Sequence, residues 1–259
     1  MKIVRQTVQV NGVSVCYEVA GEGEALVMVH GLSESTRLWY KNLPMLAERY
    51  RVYLVDLPGF GLMRKFRQQF SLLKAGAWLG GWMQAVGLDA VYLVGHSMGG
   101  YVSMALAVAY PEKIKRLVLV DSIGVPFGLS VERLIPLALR AIRRSTPALW
   151  FCIGYDYLRA GPVMVRTASQ QIVALDASAI ASAVRVPTLL IWGEKDDLVP
   201  FTLDRQLHKS MASARLFVMR GANHFCMYER PREFNQALCT FLQGEDIGIE
   251  VAPGGEQAE

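Results

Sequence analysis

Val91-Tyr92-Leu93-Val94-Gly95-His96-Ser97-Met98-Gly99-Gly100-Tyr101 joins a short apolar run, typical of a buried strand, to a segment that continues as a helix to Tyr110. The glycines on both sides of Ser97 permit a turn too sharp for bulkier neighbours. Such a turn lifts the serine hydroxyl above the carboxyl edge of a sheet. The N-terminal N–H groups of the following helix point to the same place and can stabilise negative charge there. The stretch therefore predicts a nucleophilic serine; the alternative is a plain glycine-rich turn.

Short apolar strands alternate with helical patterns along most of the remaining chain. A hairpin is predicted at the start, because Asn11-Gly12 favours a tight turn between two β-branched runs. Strands are predicted at 25–29, 51–55, 117–120, 188–192 and 215–219, and helices at 39–50, 71–86, 203–211 and 231–242. This alternation predicts an α/β fold with a mostly parallel central sheet and helices on both faces.

The alternation stops between residues 126 and 184, where only helical segments with proline and glycine breaks occur. We interpret this segment as a helical cap inserted into a core formed by residues 1–125 and 185–243. The acidic, unpatterned residues 244–259 predict a disordered tail.

Composition excludes several classes of function. The net charge of +4 is mild and no basic cluster occurs, which argues against nucleic-acid binding. The four cysteines lack CxxC spacing and metal-ligand companions, and no phosphate-binding loop is present, so neither a metal nor a cofactor is expected. The N-terminus has no apolar signal region, and no apolar run reaches the roughly 18 residues of a membrane span. We expect a soluble cytoplasmic protein.

Three residues follow the chain order Ser, Asp, His that is expected for a serine hydrolase with this type of fold. A serine hydroxyl needs a histidine base, and the histidine needs a carboxylate to fix its tautomer. Ser97, Asp196 and His224 follow this order, and each comes directly after a predicted strand. Asp197 and Asp121 are alternatives for the acid.

The chain resembles the α/β-hydrolase family, in its cap-bearing carboxylesterase type. The resemblance rests on His30-Gly31, Asp56-Leu57-Pro58-Gly59-Phe60-Gly61, Gly95-His96-Ser97-Met98-Gly99-Gly100, Gly193-Glu194-Lys195-Asp196 and His224 with Glu229-Arg230-Pro231. It implies that Ser97 is the nucleophile, His224 the general base and acid, and Asp196 the orienting carboxylate. It also implies that the backbone N–H groups of Leu32 and Met98 form the oxyanion hole.

From these residues we expect hydrolysis of a carboxylic ester through an acyl-enzyme. Acyl transfer, perhydrolysis and carbon–carbon bond hydrolysis on the same triad are alternatives, as is a non-catalytic ligand-binding role. The cap aromatics Trp150, Phe151 and Tyr155 either line a pocket for small-to-medium apolar or aromatic acyl groups or fix the cap to the sheet. The cap arginines either form a solvated face or meet an anionic substrate or an acidic acyl-carrier partner.

The remaining polar candidates are assigned structural roles. We expect His30 and Asp56 to hold their own loops, His96 to pack beside the nucleophile, and His208 to lie on the surface of a helix. Cys226 is expected to fill core space, because nothing in the sequence lowers its pKa.

Overall fold

The structure, a computed structural model, describes residues 1–124, 126, 130–212 and 214–247. Its centre is an eight-stranded sheet in the order β1-β2-β4-β3-β5-β6-β7-β8. The strands are β1 (Val4–Val10), β2 (Val13–Ala20), β3 (Glu24–Val29), β4 (Tyr50–Val55), β5 (Val91–His96), β6 (Ile114–Val120), β7 (Thr188–Gly193) and β8 (Ala214–Met219). Strands β3 to β8 are parallel, which confirms the predicted α/β fold.

The hairpin at the sheet edge forms as predicted. Asn11 and Gly12 have φ values of 49° and 78°, the left-handed conformation that this two-residue turn requires. β2 then pairs antiparallel with β4, so the hairpin closes one side of the parallel sheet.

Helices cover both faces of the sheet. They are α1 (Leu43–Leu46), α2 (Leu72–Val86), α3 (Met98–Ala109), α4 (Val131–Arg143), α5 (Pro147–Ala160), α6 (Pro162–Val173), α7 (Ser178–Ala183), α8 (Phe201–Ser210), α9 (Cys226–Glu229) and α10 (Pro231–Leu242). Two apolar clusters result: α2 and α3 pack on one face, and α1 and α10 pack on the other.

The glycines in α2 allow close packing against α3. A Cβ atom at Gly76 would lie 2.8 Å from the Cβ of Ala105 and 3.0 Å from the backbone nitrogen of Leu106. Because such contacts are too short, only glycine lets the two helices approach this closely.

The single helix predicted at 39–50 is wrong. The chain forms a 3-10 turn at Thr36–Trp39 and then the short helix α1. Pro44 lies in the first turn of α1, where an N–H group needs no partner within the helix. Because Pro44 has no N–H, the helix cannot continue from the preceding 3-10 turn through this position. The Asn42 side chain is occupied elsewhere, since its amide donates to the Met227 carbonyl at 3.1 Å and to the Asn235 side chain at 3.0 Å.

Helices α4 to α7 lie between β6 and β7, in the segment predicted as a cap. Of the predicted cap boundary, residues 127–129 lie outside the described residues, as do residues 248–259 of the predicted tail. Within the described part of the chain, no helix combines the length and the apolar character needed to cross a lipid bilayer.

Candidate active site

Ser97 occupies a strained turn between β5 and α3. Its φ of 51° and ψ of −116° lie in a region that side-chain-bearing residues rarely adopt. The surrounding strands hold this conformation, because the Ser97 N–H donates to the Val120 carbonyl at 2.9 Å and Ile123 N–H donates to the Ser97 carbonyl at 3.3 Å. The turn places Ser97 at the carboxyl edge of the sheet, where open α/β sheets bind ligands.

The three glycines around Ser97 are required by close backbone approach. A Cβ atom at Gly95 would lie 2.4 Å from the Gly99 carbonyl oxygen, and one at Gly99 would lie 2.5 Å from the His30 carbonyl oxygen. A Cβ atom at Gly100 would lie 2.0 Å from the Ser122 hydroxyl. Glycine is therefore needed on both sides of the turn, because a larger residue at these positions would clash with neighbouring atoms.

The structure brings His224 and Asp196 together in the core of the site. The Nδ1 atom of His224 lies 2.7 Å from Oδ2 of Asp196, and both residues are buried. The other oxygen of Asp196 accepts N–H donors from Leu198 at 2.7 Å and from Val199 at 2.9 Å, which fixes the carboxylate plane. Burial lowers the pKa of His224, but the charge and hydrogen bond of Asp196 outweigh it and raise this pKa to about 9.

The two alternative acids have other positions. Asp197 is partly exposed and pairs with Arg144 of the cap. Asp121, at the end of β6, is fully buried and accepts from the Gly193 N–H at 2.8 Å through one oxygen. Its second oxygen has no hydrogen-bond partner among the described residues. Burial and the neighbouring charge of Asp196 raise the pKa of Asp121 well above its usual range.

The two backbone N–H groups predicted to form an oxyanion hole are those of Leu32 and Met98. Met98 is the first residue of α3, so its N–H has no acceptor within the helix. Leu32 lies in the loop after β3, and neither of these N–H groups donates a hydrogen bond within the described residues. Ser33 follows with a φ of 59°, a conformation that bends this loop sharply.

A buried acid–histidine pair links this loop to His224, and sequence reasoning missed it. Glu34 Oε2 accepts the Gly31 N–H at 2.6 Å and lies 3.0 Å from His96 Nδ1. The other ring nitrogen of His96 lies 2.9 Å from the His224 carbonyl oxygen, and the two imidazole centroids are 4.8 Å apart. The expectation that His96 only packs is therefore wrong. The sequence holds no signal for this pair, because the position of Glu34 depends on the shape of its loop.

Other polar residues form hydrogen bonds with backbone groups. His30 lies 2.7 Å from the Gly31 carbonyl oxygen and accepts from the Leu57 N–H at 3.0 Å. Asp56 accepts from the Thr36 and Leu62 N–H groups, so both residues hold loops beside the site. The side chain of His208 is partly buried, and its Nε2 lies 3.0 Å from the Ala214 carbonyl oxygen.

Cys226 is a buried thiol close to Asp121. Burial, together with the nearby Asp121 carboxyl, raises the pKa of Cys226 well above its usual range. Such a thiol is a poor nucleophile, which agrees with a core-filling role.

His96, Asp121 and His224 each have a potential ligand atom within 4.8 Å of the others. A metal there would compete with established contacts, because both His96 nitrogens and the His224 Nδ1 atom already have partners. The geometry is that of a hydrogen-bonded network that includes His224, Asp196, His96 and Glu34.

The cap is anchored to the His224 loop and to the loop before α1. Asn223, next to His224, donates to the Ser145 hydroxyl at 2.9 Å, and Ser145 donates to Glu229 at 2.8 Å. Asp156 of α5 is buried and accepts from the Ser35 hydroxyl at 2.6 Å and from Arg37 at 3.0 Å.

The predicted pocket aromatics lie on the cap with large exposed fractions. Trp150, Phe151 and Tyr155 are 43%, 80% and 47% exposed. The Tyr155 ring lies under the Arg37 guanidinium at 4.3 Å, and the Trp150 indole N–H donates to the Ile142 carbonyl. Their role in a substrate pocket stays a prediction.

Residues 26–237 match the Alpha/beta hydrolase family. The chain belongs to this family. It is 28% identical over 263 residues to the 2-hydroxy-6-oxo-6-phenylhexa-2,4-dienoate hydrolase of Comamonas testosteroni, covering 88% of this chain and 90% of the relative. Among solved structures, a membrane phospholipase A is 25% identical with a TM-score of 0.79, covering 93% of this chain and 86% of that one. The esterase RhEst1 from Rhodococcus sp. ECU1013 shares the fold, with a TM-score of 0.77, 21% identity, and coverage of 95% and 100%. The family assignment supports a hydrolase acting on a small molecule.

Proposed function

We propose that this α/β hydrolase cleaves a carboxylic ester through an acyl-enzyme, in the manner of cap-bearing carboxylesterases. Ser97 is the nucleophile, His224 the general base and acid, and Asp196 the orienting carboxylate. The N–H groups of Leu32 and Met98 stabilise the oxyanion.

The observation that carries the proposal is the 2.7 Å contact between His224 Nδ1 and Asp196 Oδ2. A carboxylate at Nδ1 holds the proton on that nitrogen, which leaves Nε2 free to accept a proton. It also stabilises the imidazolium that forms when His224 takes the Ser97 proton. The strained backbone of Ser97 supports the same role, since strain of this kind is typical of the nucleophile turn.

The proposed reaction has two halves. The Ser97 oxygen attacks the ester carbonyl carbon while His224 Nε2 takes the serine proton, and the carbonyl oxygen becomes an oxyanion held by two backbone N–H groups. The intermediate collapses, the bond to the alkoxy oxygen breaks, and His224 donates its proton to the departing alcohol. Water then attacks the acyl-enzyme with His224 as base again, which releases the acid and restores Ser97.

For the substrate, we propose small-to-medium apolar or aromatic acyl groups. The support is the helical cap between β6 and β7, which is fixed to the His224 loop through Asn223 and Ser145. A cap in that position excludes water and limits the acyl pocket. A series of p-nitrophenyl esters of increasing chain length tests this. Turnover should be fastest for short and medium chains, and a preference for long chains contradicts the proposal.

Carbon–carbon bond hydrolysis is the second candidate, because the relative from Comamonas testosteroni is named as a hydrolase of 2-hydroxy-6-oxo-6-phenylhexa-2,4-dienoate, which is not an ester. The same triad serves both reactions. Turnover of 2-hydroxy-6-oxo-6-phenylhexa-2,4-dienoate at a higher kcat/KM than any ester of the panel favours this candidate.

A fluorophosphonate probe tests the nucleophile directly. The wild type should be labelled covalently, whereas Ser97→Ala should lose labelling and nearly all esterase turnover while keeping its melting temperature. Ser103→Ala is the matched control, because this buried serine donates only to the Gly99 carbonyl at 2.8 Å. Labelling of Ser97→Ala, or an unlabelled wild type, contradicts the assignment; the second result favours a non-catalytic ligand-binding protein.

A further inference from the structure

The first cap helix, α4, has a clean division between apolar and cationic sides. Viewed down the axis, valine, leucine, isoleucine and alanine side chains fill one side, while Glu132, Arg133, Arg140 and Arg143 share the other. A pattern of this kind predicts a helix that lies with one side in an apolar environment and the other in water.

The protein itself covers the apolar side only in part. Ala141 is the only buried residue of α4, and Ile135 and Leu139 are 55% and 52% exposed. Helix α10 differs from α4, because its apolar residues Phe234 and Leu238 are fully buried against the sheet. The edge of the apolar side that carries Ile135 and Leu139 is thus an exposed surface, continued by the half-exposed Trp150, whose indole N–H donates to the Ile142 carbonyl.

The charges of α4 indicate the chemistry of the partner. Arg133, Arg140 and Arg143 are exposed, and none of them forms an ion pair with another described residue. A second copy of the same surface would bring these like charges together, which argues against a symmetric dimer. An acidic protein would pair with the arginines but would leave Ile135 and Leu139 without an apolar environment.

We propose that α4 docks this protein on an anionic lipid membrane surface. The surface consists of Ile135 and Leu139 with Trp150 beside them, flanked by Arg140 and Arg143. The apolar side chains enter the boundary between headgroups and acyl chains, and the arginines bind lipid phosphates. The helix lies in the plane of the interface and does not cross the bilayer, in agreement with its 13 residues.

Helix α4 is connected to the loop that carries His224. The chain from α4 continues into Ser145, which is bonded to Asn223 and Glu229 beside His224. Docking through α4 therefore acts on a helix that is linked, through Ser145, to the loop that carries His224. The docking itself does not depend on the proposed ester hydrolysis, since binding is measured without turnover.

Vesicle flotation with the full chain tests the proposal. The protein should float with vesicles of phosphatidylglycerol and phosphatidylcholine, bind pure phosphatidylcholine far less, and dissociate as salt screens the charges. Arg140→Gln with Arg143→Gln should weaken binding by about fivefold per arginine. Ile135→Ser with Leu139→Ser should weaken it by about tenfold or more.

Matched controls come from α2, which is not part of the surface. Leu73 is 73% exposed and Lys74 is exposed, so Leu73→Ser with Lys74→Gln changes the same kinds of side chain at another place. This control should bind as the wild type does. All variants should keep the wild-type melting temperature, because the altered side chains are exposed.

Several results overturn the proposal. They are equal binding to neutral and anionic vesicles, no binding by the wild type, or an equal loss in the α2 control. A wild-type dimer in light scattering that becomes a monomer in Ile135→Ser with Leu139→Ser also overturns it, because the surface then belongs to a second copy.

Discussion

Glu34→Gln is the sharpest test of how the site is held together. Glu34 accepts from Gly31 N–H and faces His96 Nδ1, and the other His96 nitrogen faces the His224 carbonyl. A carboxylate and a carbonyl both accept hydrogen bonds, so both ring nitrogens need protons when Glu34 is ionised. Burial raises the pKa of Glu34, but the charge and hydrogen bond of His96 outweigh it and lower this pKa.

Glutamine cannot replace the carboxylate in this arrangement. In one case the amide oxygen of the glutamine still accepts from the Gly31 N–H. A neutral His96 that donates from Nε2 to the His224 carbonyl then has a lone pair on Nδ1, and this lone pair faces the amide oxygen. If the amide rotates, its NH₂ group faces Gly31 N–H instead. If His96 stays charged, its charge is buried without a partner. Each outcome breaks one contact or leaves one buried charge unpaired.

The expected cost follows from the burial of the pair. Both side chains are almost fully buried, and breaking a buried ion pair costs about 3–5 kcal/mol. A loss of about 3 kcal/mol corresponds to a fall in Tm of roughly 6–12 °C for a domain of this size. Since the pair joins the Leu32 loop to the His224 loop, kcat should fall on the order of tenfold or more.

Thermal melting and p-nitrophenyl acetate turnover measure both effects. Glu24→Gln is the matched control, because Glu24 forms an exposed pair with Lys115 at 2.6 Å, and exposed pairs contribute about 1 kcal/mol or less. The lowered pKa of Glu34 means that its stabilisation is present above the ordinary glutamate pKa and is lost as the pH falls. The difference in Tm between wild type and Glu34→Gln should therefore narrow below pH 4.5, the ordinary value. A Tm for Glu34→Gln equal to that of Glu24→Gln refutes the reasoning.

Three further predictions concern the triad and its turn. Since the pKa of His224 is raised to about 9 and only the neutral imidazole is a base, kcat/KM should rise with pH up to about 9; a plateau already at pH 7 contradicts this. Asp196→Asn should lower kcat by about 10⁴-fold, as expected when the histidine loses its orienting acid, whereas Asp121→Asn should stay within about tenfold; steady-state kinetics showing the reverse order contradict the triad. Gly95→Ala should yield little folded protein on a gel-filtration column, because its Cβ would lie 2.4 Å from the Gly99 oxygen, and normal yield and activity argue against that contact.

The sheet could be predicted from the sequence because each strand carries its own signal. The apolar run of β5 is buried along its whole length, and Asn11-Gly12 specifies a hairpin with no contribution from distant residues. The order of Ser97, Asp196 and His224 was readable for the same reason, since each follows a strand whose carboxyl end reaches one edge. These features depend on local pattern and on the topology of parallel strands.

Features that depend on distant contacts could not be predicted. The helix predicted at 39–50 is interrupted near Asn42, whose side chain bonds to Met227 and Asn235. These two residues are more than 180 residues away along the chain. The Glu34–His96 pair likewise depends on the fold of the loop after β3, and no spacing rule connects residues 34 and 96. The orientation of α5 determines the exposure of Phe151. Apolar residues are distributed around the whole of α5, so the sequence does not predict which side of this helix faces the protein.

The choice between Asp121 and Asp196 shows what geometry adds to a motif. Both follow strands at the same edge, and both carboxyls are buried near His224. Asp196 has two backbone N–H donors on one oxygen and His224 on the other, so both of its oxygens have partners. Asp121 has a single N–H donor and one oxygen without a partner among the described residues, so its neutral form is favoured. The number of hydrogen-bond partners therefore favours Asp196 as the carboxylate that orients His224, and the comparison of Asp196→Asn with Asp121→Asn tests this prediction.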